Sequence, residues 1–439
     1  MTIYRARVLD TPDDPFAGGT LRAEDDCSLV VLDGAVVARG ALADVRHHDP
    51  EGLVIDLRDG WLLPGLVDTH VHYPQVRVIG ALGMPLLEWL DRCALPEEQR
   101  LASDDYARLV AQEFCASLVA AGTTTALVFG SHFAGAVDQL FEEAARYGLR
   151  VTSGLVVSDR GLPEPLLTTP ERAHAEAVAL ASRWHGVGHA RYAITPRFSF
   201  SASEAVLEAC AGAAEEIGDA WFTSHVNENA AEVAEVARLF PSAAHYVGTY
   251  DDHGLLGPRS VLAHDVHATD AELDVLAGRR TSVAHCPSSN AALGSGLFPL
   301  ARHVDGGVAV ALGSDVGAGT GFSLFKEGLQ AYFMQRLLAD AGLPLTPAHL
   351  LHLATSAGAR ALGLGDRVGD LSVGKQFDAI CLRPVRGTEL DIGLRHTEVP
   401  EEALGKIFAL ASDADVADVW VGGQQIASGG FIRGHAQSR

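Results

Sequence analysis

The stretch LVDTHVH, residues 66–72, follows a Pro-Gly turn at Pro64-Gly65 and carries two histidines, His70 and His72, one residue apart. In an extended strand, side chains two apart point to the same side, so the two imidazoles face one way. A chain with 19 histidines in 439 residues throws up such a pair by chance. Taken alone, the two are as well read as core histidines, and the rest of the chain has to decide.

Outward from this strand the chain alternates. Short apolar runs of strand length are each followed by ten to eighteen residues of helical character: TTTALVFG (123–130), RVTSGLVVS (150–158), RYAITPRF (191–198), AWFTSHV (220–226), SVLAHDV (260–266), TSVAHCP (281–287) and VAVALGSD (308–315). The helices carry start signals, such as Thr269 with Glu272 three residues on, a capping box that the sequence ends at Gly278. With 66–72, eight strand–helix units over about 300 residues predict an α/β fold, a (β/α)8 TIM barrel spanning 66–365. The flanks differ. Residues 1–65 and 366–439 read as short strands with Asp-Gly turns, as in CSLVVLDGAVVARG and VADVWVGGQQIASGG. They predict one small discontinuous β-sandwich domain built from both ends of the chain.

Composition narrows the function classes. Nearly half the residues are hydrophobic, and 33 Lys and Arg stand against 56 Asp and Glu, a net charge of −23. Such a surface repels nucleic acid and anionic membranes. No apolar run reaches the roughly 18 residues of a membrane span, and the first residues, MTIYRARVLD, do not read as a signal peptide. Six scattered cysteines without a CxxC pair suit reduced thiols in the cytoplasm.

In a TIM barrel the C-terminal strand ends converge on one site. Strand one ends in His70 and His72, strand five in His225, strand six in His264, strand seven in His285 and strand eight in Asp315. One barrel histidine alone reads as packing. Several strand ends carrying imidazoles and a carboxylate in register read as a site for one divalent metal, Zn²⁺ with Fe²⁺ as the alternative, leaving a position for water. Bound water of lowered pKa needs a proton acceptor beside it. Asp315 serves as ligand and base together, and Glu228, three residues past His225, leans over the site. The bland reading of Glu228 is a solvated residue opening a helix.

PGLVDTHVH, SHVNEN, VLAH and LGSD together resemble the amidohydrolase superfamily, in its single-metal deaminase branch, over nearly the whole chain including the tail motif SVGKQFDAICL. More narrowly, HYPQVRVIGALG with LLEWL, AITPRFSFSASE, SHVNENAAEVAEVARLFP, AHCPSSNAALGSGLF and ALGSDVGAGTGFSL resemble the guanine deaminase family. That resemblance implies metal ligands at His70, His72, His225 and Asp315, with His264 on the metal or its water. It implies Glu228 as acid–base at the ring nitrogen, with Gln75, Arg197 and Phe198 holding the purine, and a cytoplasmic homodimer acting on guanine. The residue types suit a purine: an Arg donor for the O6 carbonyl, an amide for the donor–acceptor edge, a flat ring for the face. Unpaired with any of this, Arg197 would be a salt-bridged rim residue and Gln75 an exposed polar one. The chain departs from the pattern at Met84-Pro85, and His132 falls near the mouth of strand two. His285 and Cys286 read as packing. The rival readings are an aminohydrolase for 8-oxoguanine, a triazine or an adenosine-type substrate, and a barrel scaffold that has lost its metal.

Overall fold

The computed structural model describes residues 1–429 and 431–433. Eight parallel strands form the barrel: Leu66–His72, Thr123–Phe129, Arg150–Gly154, Arg191–Pro196, Trp221–Val226, Ser260–His264, Ser282–His285 and Val310–Leu312. A two-residue strand, Val156–Val157, continues the third and pairs with the fourth. The first and eighth strands meet through Thr69 Oγ1 donating to the Leu312 carbonyl (2.8 Å) and Asp315 N donating to the His70 carbonyl (2.8 Å). Apart from half-buried Arg191 at the start of the fourth, the strands are buried, as parallel strands covered by helices on one side and filled by side chains on the other must be.

Helix boundaries follow local chemistry. Asp270–Arg279 opens with the expected capping box between Thr269 and Glu272. It does not end at Gly278: the helix runs to Arg279, and Arg280 takes the left-handed conformation (φ 59°) that closes it. A second capping box, Asn229 with Glu232, starts Ala230–Leu239 just after the fifth strand. Between the first strand and helix Asp104–Ala120 the chain makes a long excursion of short helical turns, residues 73–102, over the C-terminal rim.

The termini build a separate eight-stranded sheet. Its path runs from Phe431–Ile432 through Gln424–Ser428, Val416–Val421, Ala379–Leu382, Leu53–Pro64, Thr2–Asp10 and Arg22–Leu32 to Ala35–Gly40. Antiparallel pairing of Ala379–Leu382 with Leu53–Pro64 joins the two ends of the chain. The sheet folds over, so that Tyr4 stacks on Phe377 (4.6 Å) and meets Trp420 edge-on (5.5 Å). Asp33-Gly34 turns the last hairpin with φ of 50° and 81°, the double positive φ of a type I′ turn. A Cβ on Gly34 would lie 2.3 Å from the Gly422 carbonyl oxygen, so only glycine fits where the sheet closes on itself. No helix among the described residues is long and apolar enough to cross a membrane.

Candidate metal centre and pocket

At the C-terminal rim the strand ends bring together the residues expected from the sequence. His70, His72, His225, His264 and Asp315 are all buried. His72 Nε2 lies 3.1 Å from the Nε2 atoms of both His70 and His225. Asp315 Oδ1 is 3.3 Å from His70 Nε2 and 3.2 Å from His72 Nε2, and Oδ2 is 3.8 Å from His264 Nε2. One ligand atom each from His70, His225, His264 and Asp315 falls within a 4.8 Å span, a group that does not take in His72 although it stands against two of its members. His264 (φ 76°) and Asp315 (φ 48°) both sit in the left-handed region. Non-glycine residues take up this conformation uncommonly, Asp and His more readily than most.

Hydrogen bonds on the outer ring nitrogens decide what the inner ones can do. His225 Nδ1 donates to the Arg197 carbonyl (2.6 Å) and His264 Nδ1 to Asn290 Oδ1 (3.0 Å). Both rings therefore present a bare Nε2 inward, and His264 Nε2 is buried without a hydrogen-bond partner. Lone pairs crowded at such distances repel unless a cation lies among them. Three or four imidazoles and a carboxylate are the donors that Zn²⁺ and Fe²⁺ take. The residues present fit a divalent metal. Asp68 ties its frame together: one carboxylate oxygen accepts from His70 N (3.2 Å) and Ser314 N (3.0 Å), the other from Ser314 Oγ.

Glu228 stands at the edge of the cluster, Oε2 3.5 Å from His264 Nε2 and Oε1 3.5 Å from Ser295 Oγ. Burial, and then the charge of Asp315, push its carboxyl well above the usual range. Burial also raises Asp315, but hydrogen bonds from His70 and His72 outweigh it and hold that carboxyl well below its ordinary value. Two acids of one pocket are pushed apart, as groups with different roles are. Glu232 accepts from the backbone N–H of Glu228 (3.1 Å) and Asn229 (3.2 Å), fixing the turn that presents Glu228.

Above the cluster lies a pocket. Leu86, Trp89, Leu90 and Leu293 give it an apolar wall; Phe198, Arg197, Gln75 and Glu228 face it beside the cluster. Phe198 stacks on Phe200 (5.2 Å) and pairs through its backbone with His225. Gln75 is not an exposed polar residue. It is buried, its amide nitrogen donates to Glu98 Oε1 (2.8 Å) and lies 3.3 Å from His72 Nδ1, and its oxygen accepts from Gly317 N (3.1 Å). Arg197 is salt-bridged, but in the interior, to Glu98. Glu98 and Asn290 escaped the sequence reading. Asn290 stood in the quoted AHCPSSN without a role, and Glu98 gave no signal, since LPEEQR reads as a solvated helix start. His285 stacks on Phe298 (4.3 Å) and Cys286 is buried in the barrel. Met84 packs half-buried against the Trp89 cluster.

Fold and site define a hydrolytic barrel enzyme whose buried His/Asp group fits a divalent metal. The chain belongs to the amidohydrolase family, the match running over residues 61–426. It is 59% identical over 429 residues to a probable guanine deaminase of Deinococcus radiodurans, covering 96% of this chain and 98% of that one. Among solved structures it is similar to the Escherichia coli guanine deaminase (TM-score 0.94, 34% identity, 98% and 100% coverage). It is also similar to the C. acetobutylicum guanine deaminase with guanine in its active site (0.89, 25%, 97% and 99%). A zinc-bound adenosine deaminase of Xanthomonas campestris follows (0.85, 26%, 100% and 95%).

Proposed function

We propose that this protein deaminates guanine hydrolytically to xanthine and ammonia, with one zinc ion held by His70, His72, His225 and Asp315 and with His264 on the zinc or its water. The observation that carries this reading is the joining of a buried His/Asp group that fits a metal to a pocket lined by Phe198, Trp89 and Arg197, in a chain 59% identical to a probable guanine deaminase over 96% of its length. The bound metal supplies a water acidic enough to attack a ring carbon at neutral pH.

The protein's own groups do the rest. Phe198 lies against the purine face and Arg197 donates to the O6 carbonyl, orienting C2 towards the cluster. The second lone pair of the Gln75 oxygen remains for the purine edge. Asp315 takes the proton released by the attacking water. Glu228 delivers a proton to N3 as the tetrahedral adduct forms, and a relayed proton lets ammonia leave. Leu86, Leu90 and Leu293 exclude bulk water, which strengthens each of these interactions.

The six free cysteines, five of them buried, support a reducing, cytoplasmic setting. A homodimer is the family's implication, and sedimentation velocity tests it. The central test follows guanine loss by ultraviolet absorbance and ammonia release across a panel of purines and triazines, with and without a chelator. Turnover of guanine that a chelator abolishes and zinc restores is the expected result. Activity confined to another purine or a triazine, or insensitive to chelation, overturns the reading.

A further inference from the structure

Behind the pocket wall sits a carboxylate that the reaction just described does not use. Glu98 belongs to helix Leu95–Gln99 in the excursion over the rim, beside a second acid, Glu97. The two diverge. Glu97 accepts from Tyr106 OH and from Arg100 Nη1 (3.1 Å) at the surface side. Glu98 points inward: Oε1 accepts from Arg197 Nη1 (2.9 Å) and Gln75 Nε2 (2.8 Å), Oε2 from Arg197 Nη1 (2.7 Å). His132 Nε2 is 3.5 Å from Oε2. Glu98 is 3% exposed, Arg197 3% and Gln75 1%. Arg197 and Gln75 line the pocket on their other side, whereas Glu98 does not reach it.

This arrangement has two physical consequences. One oxygen of Glu98 bonds both purine-facing side chains, so Arg197 and Gln75 form a single rigid plate rather than two mobile donors. The second concerns charge. A buried guanidinium without a counter-ion is a strong anion site. Although burial raises the Glu98 carboxyl, Arg197 and then His132 and Gln75 hold it well below the usual range, and burial keeps His132 below its own. The pair is therefore an ion pair of no net charge, directional but not attractive to anions. Xanthine is more acidic than guanine and becomes an anion in mildly alkaline solution. A wall without net charge therefore discriminates substrate from product.

We propose that Glu98 is a positioning and specificity-determining residue: it locks Arg197 and Gln75 into one purine-reading plate and cancels the guanidinium charge, so that the pocket favours a neutral oxopurine over an anionic one. This rests on the guanine reading above.

The test uses the full-length, metal-loaded protein at mildly alkaline pH. It measures kcat and KM for guanine, and competitive inhibition by xanthine, then largely anionic, and by hypoxanthine, then largely neutral. Glu98→Gln should raise KM about 10- to 100-fold, the effect of leaving a buried donor without its charged partner, with a smaller fall in kcat and unchanged metal content. It should also shift the inhibitor preference towards xanthine by about 10-fold, because the freed charge now faces the ligand. In an Arg197→Gln background the same substitution should leave the preference where it was, since its effect passes through the guanidinium. Glu98→Asp keeps the charge and loses the reach. It should raise KM without changing the preference, and it stands as the independent test if Glu98→Gln fails to fold. An unchanged preference in active Glu98→Gln protein, an equal shift without Arg197, or a shifted preference in Glu98→Asp overturns the proposal. A wild-type protein that leaves guanine untouched overturns the parent reading instead.

Discussion

The floor and the wall of the pocket are built by different means. The floor is borne on strands: His72 and His264 are the last residues of theirs, His70 and His225 lie within two residues of the end, and Asp315 follows its strand by three residues. The wall is borne largely on the excursion at 73–102, which brings in Gln75, Leu86, Trp89, Leu90 and, behind them, Glu98. Strands of a closed barrel cannot shift without breaking their ladders, so the floor suits groups that must hold a cation to fractions of an ångström. Loop-borne walls vary more freely and set what is bound. Disturbing the floor should therefore cost turnover, and disturbing the wall should cost recognition.

The sharpest test of that division is Glu228→Gln, which keeps shape and removes the proton. Turnover should fall about 10²- to 10⁴-fold, with metal content near that of the wild type and guanine KM moving little. Single-turnover kinetics with metal analysis on the same sample check it. If KM rises while kcat holds, Glu228 belongs to the wall.

Asn290→Ala comes next, by indirect action. Its Oδ1 accepts the His264 Nδ1 proton at 3.0 Å and so keeps Nε2 bare. Losing such an outer partner typically costs about 10- to 100-fold in activity or metal affinity. Metal titration and kcat together read this out, and an unaffected kcat with unaffected metal affinity would detach His264 from the chemistry. On the wall, Phe198→Ala should raise the guanine KM about 10-fold through lost ring contact, leaving metal affinity alone. A comparable loss of metal would show that floor and wall are one unit, through the Phe198–His225 backbone pairing.

The two halves also differ in how far the amino-acid order reveals them. All eight barrel strands were legible from length and alternation, and the floor followed because strand ends in a barrel have one place to converge. His70 and His72 needed only the two-residue period. Wall residues lack such a rule. Glu98 and Glu97 are chemically alike and adjacent, and only the packing of a five-residue helix sends one to the surface side and the other to Arg197. Gly278 misled in the same way: glycine can close a helix, but Arg280 two residues on reached the left-handed conformation instead. Local chemistry offered both, and tertiary contacts chose.

The smallest expected effect lies beneath the floor and touches stability alone. Glu327, in the first turn of helix Leu324–Leu337, accepts from Ser288 N (2.9 Å) and Ser288 Oγ (2.6 Å), bracing the segment that carries Asn290. Burial pushes its carboxyl up to about 8. An unfolded chain would release that proton near the ordinary glutamate value, so between about pH 5 and pH 8 the folded state binds more protons. Stability contributed by this group is then greatest at the acid end, falls as the pH climbs through that window, and levels off above it. Glu327→Gln, a permanent mimic of the protonated side chain, should remove this slope while leaving the guanine KM unchanged. Urea midpoints at the two ends of the window decide it. A wild type and variant that weaken in parallel would mean that Glu327 is already ionised in the fold, and that the floor's brace is a charge rather than a shared proton.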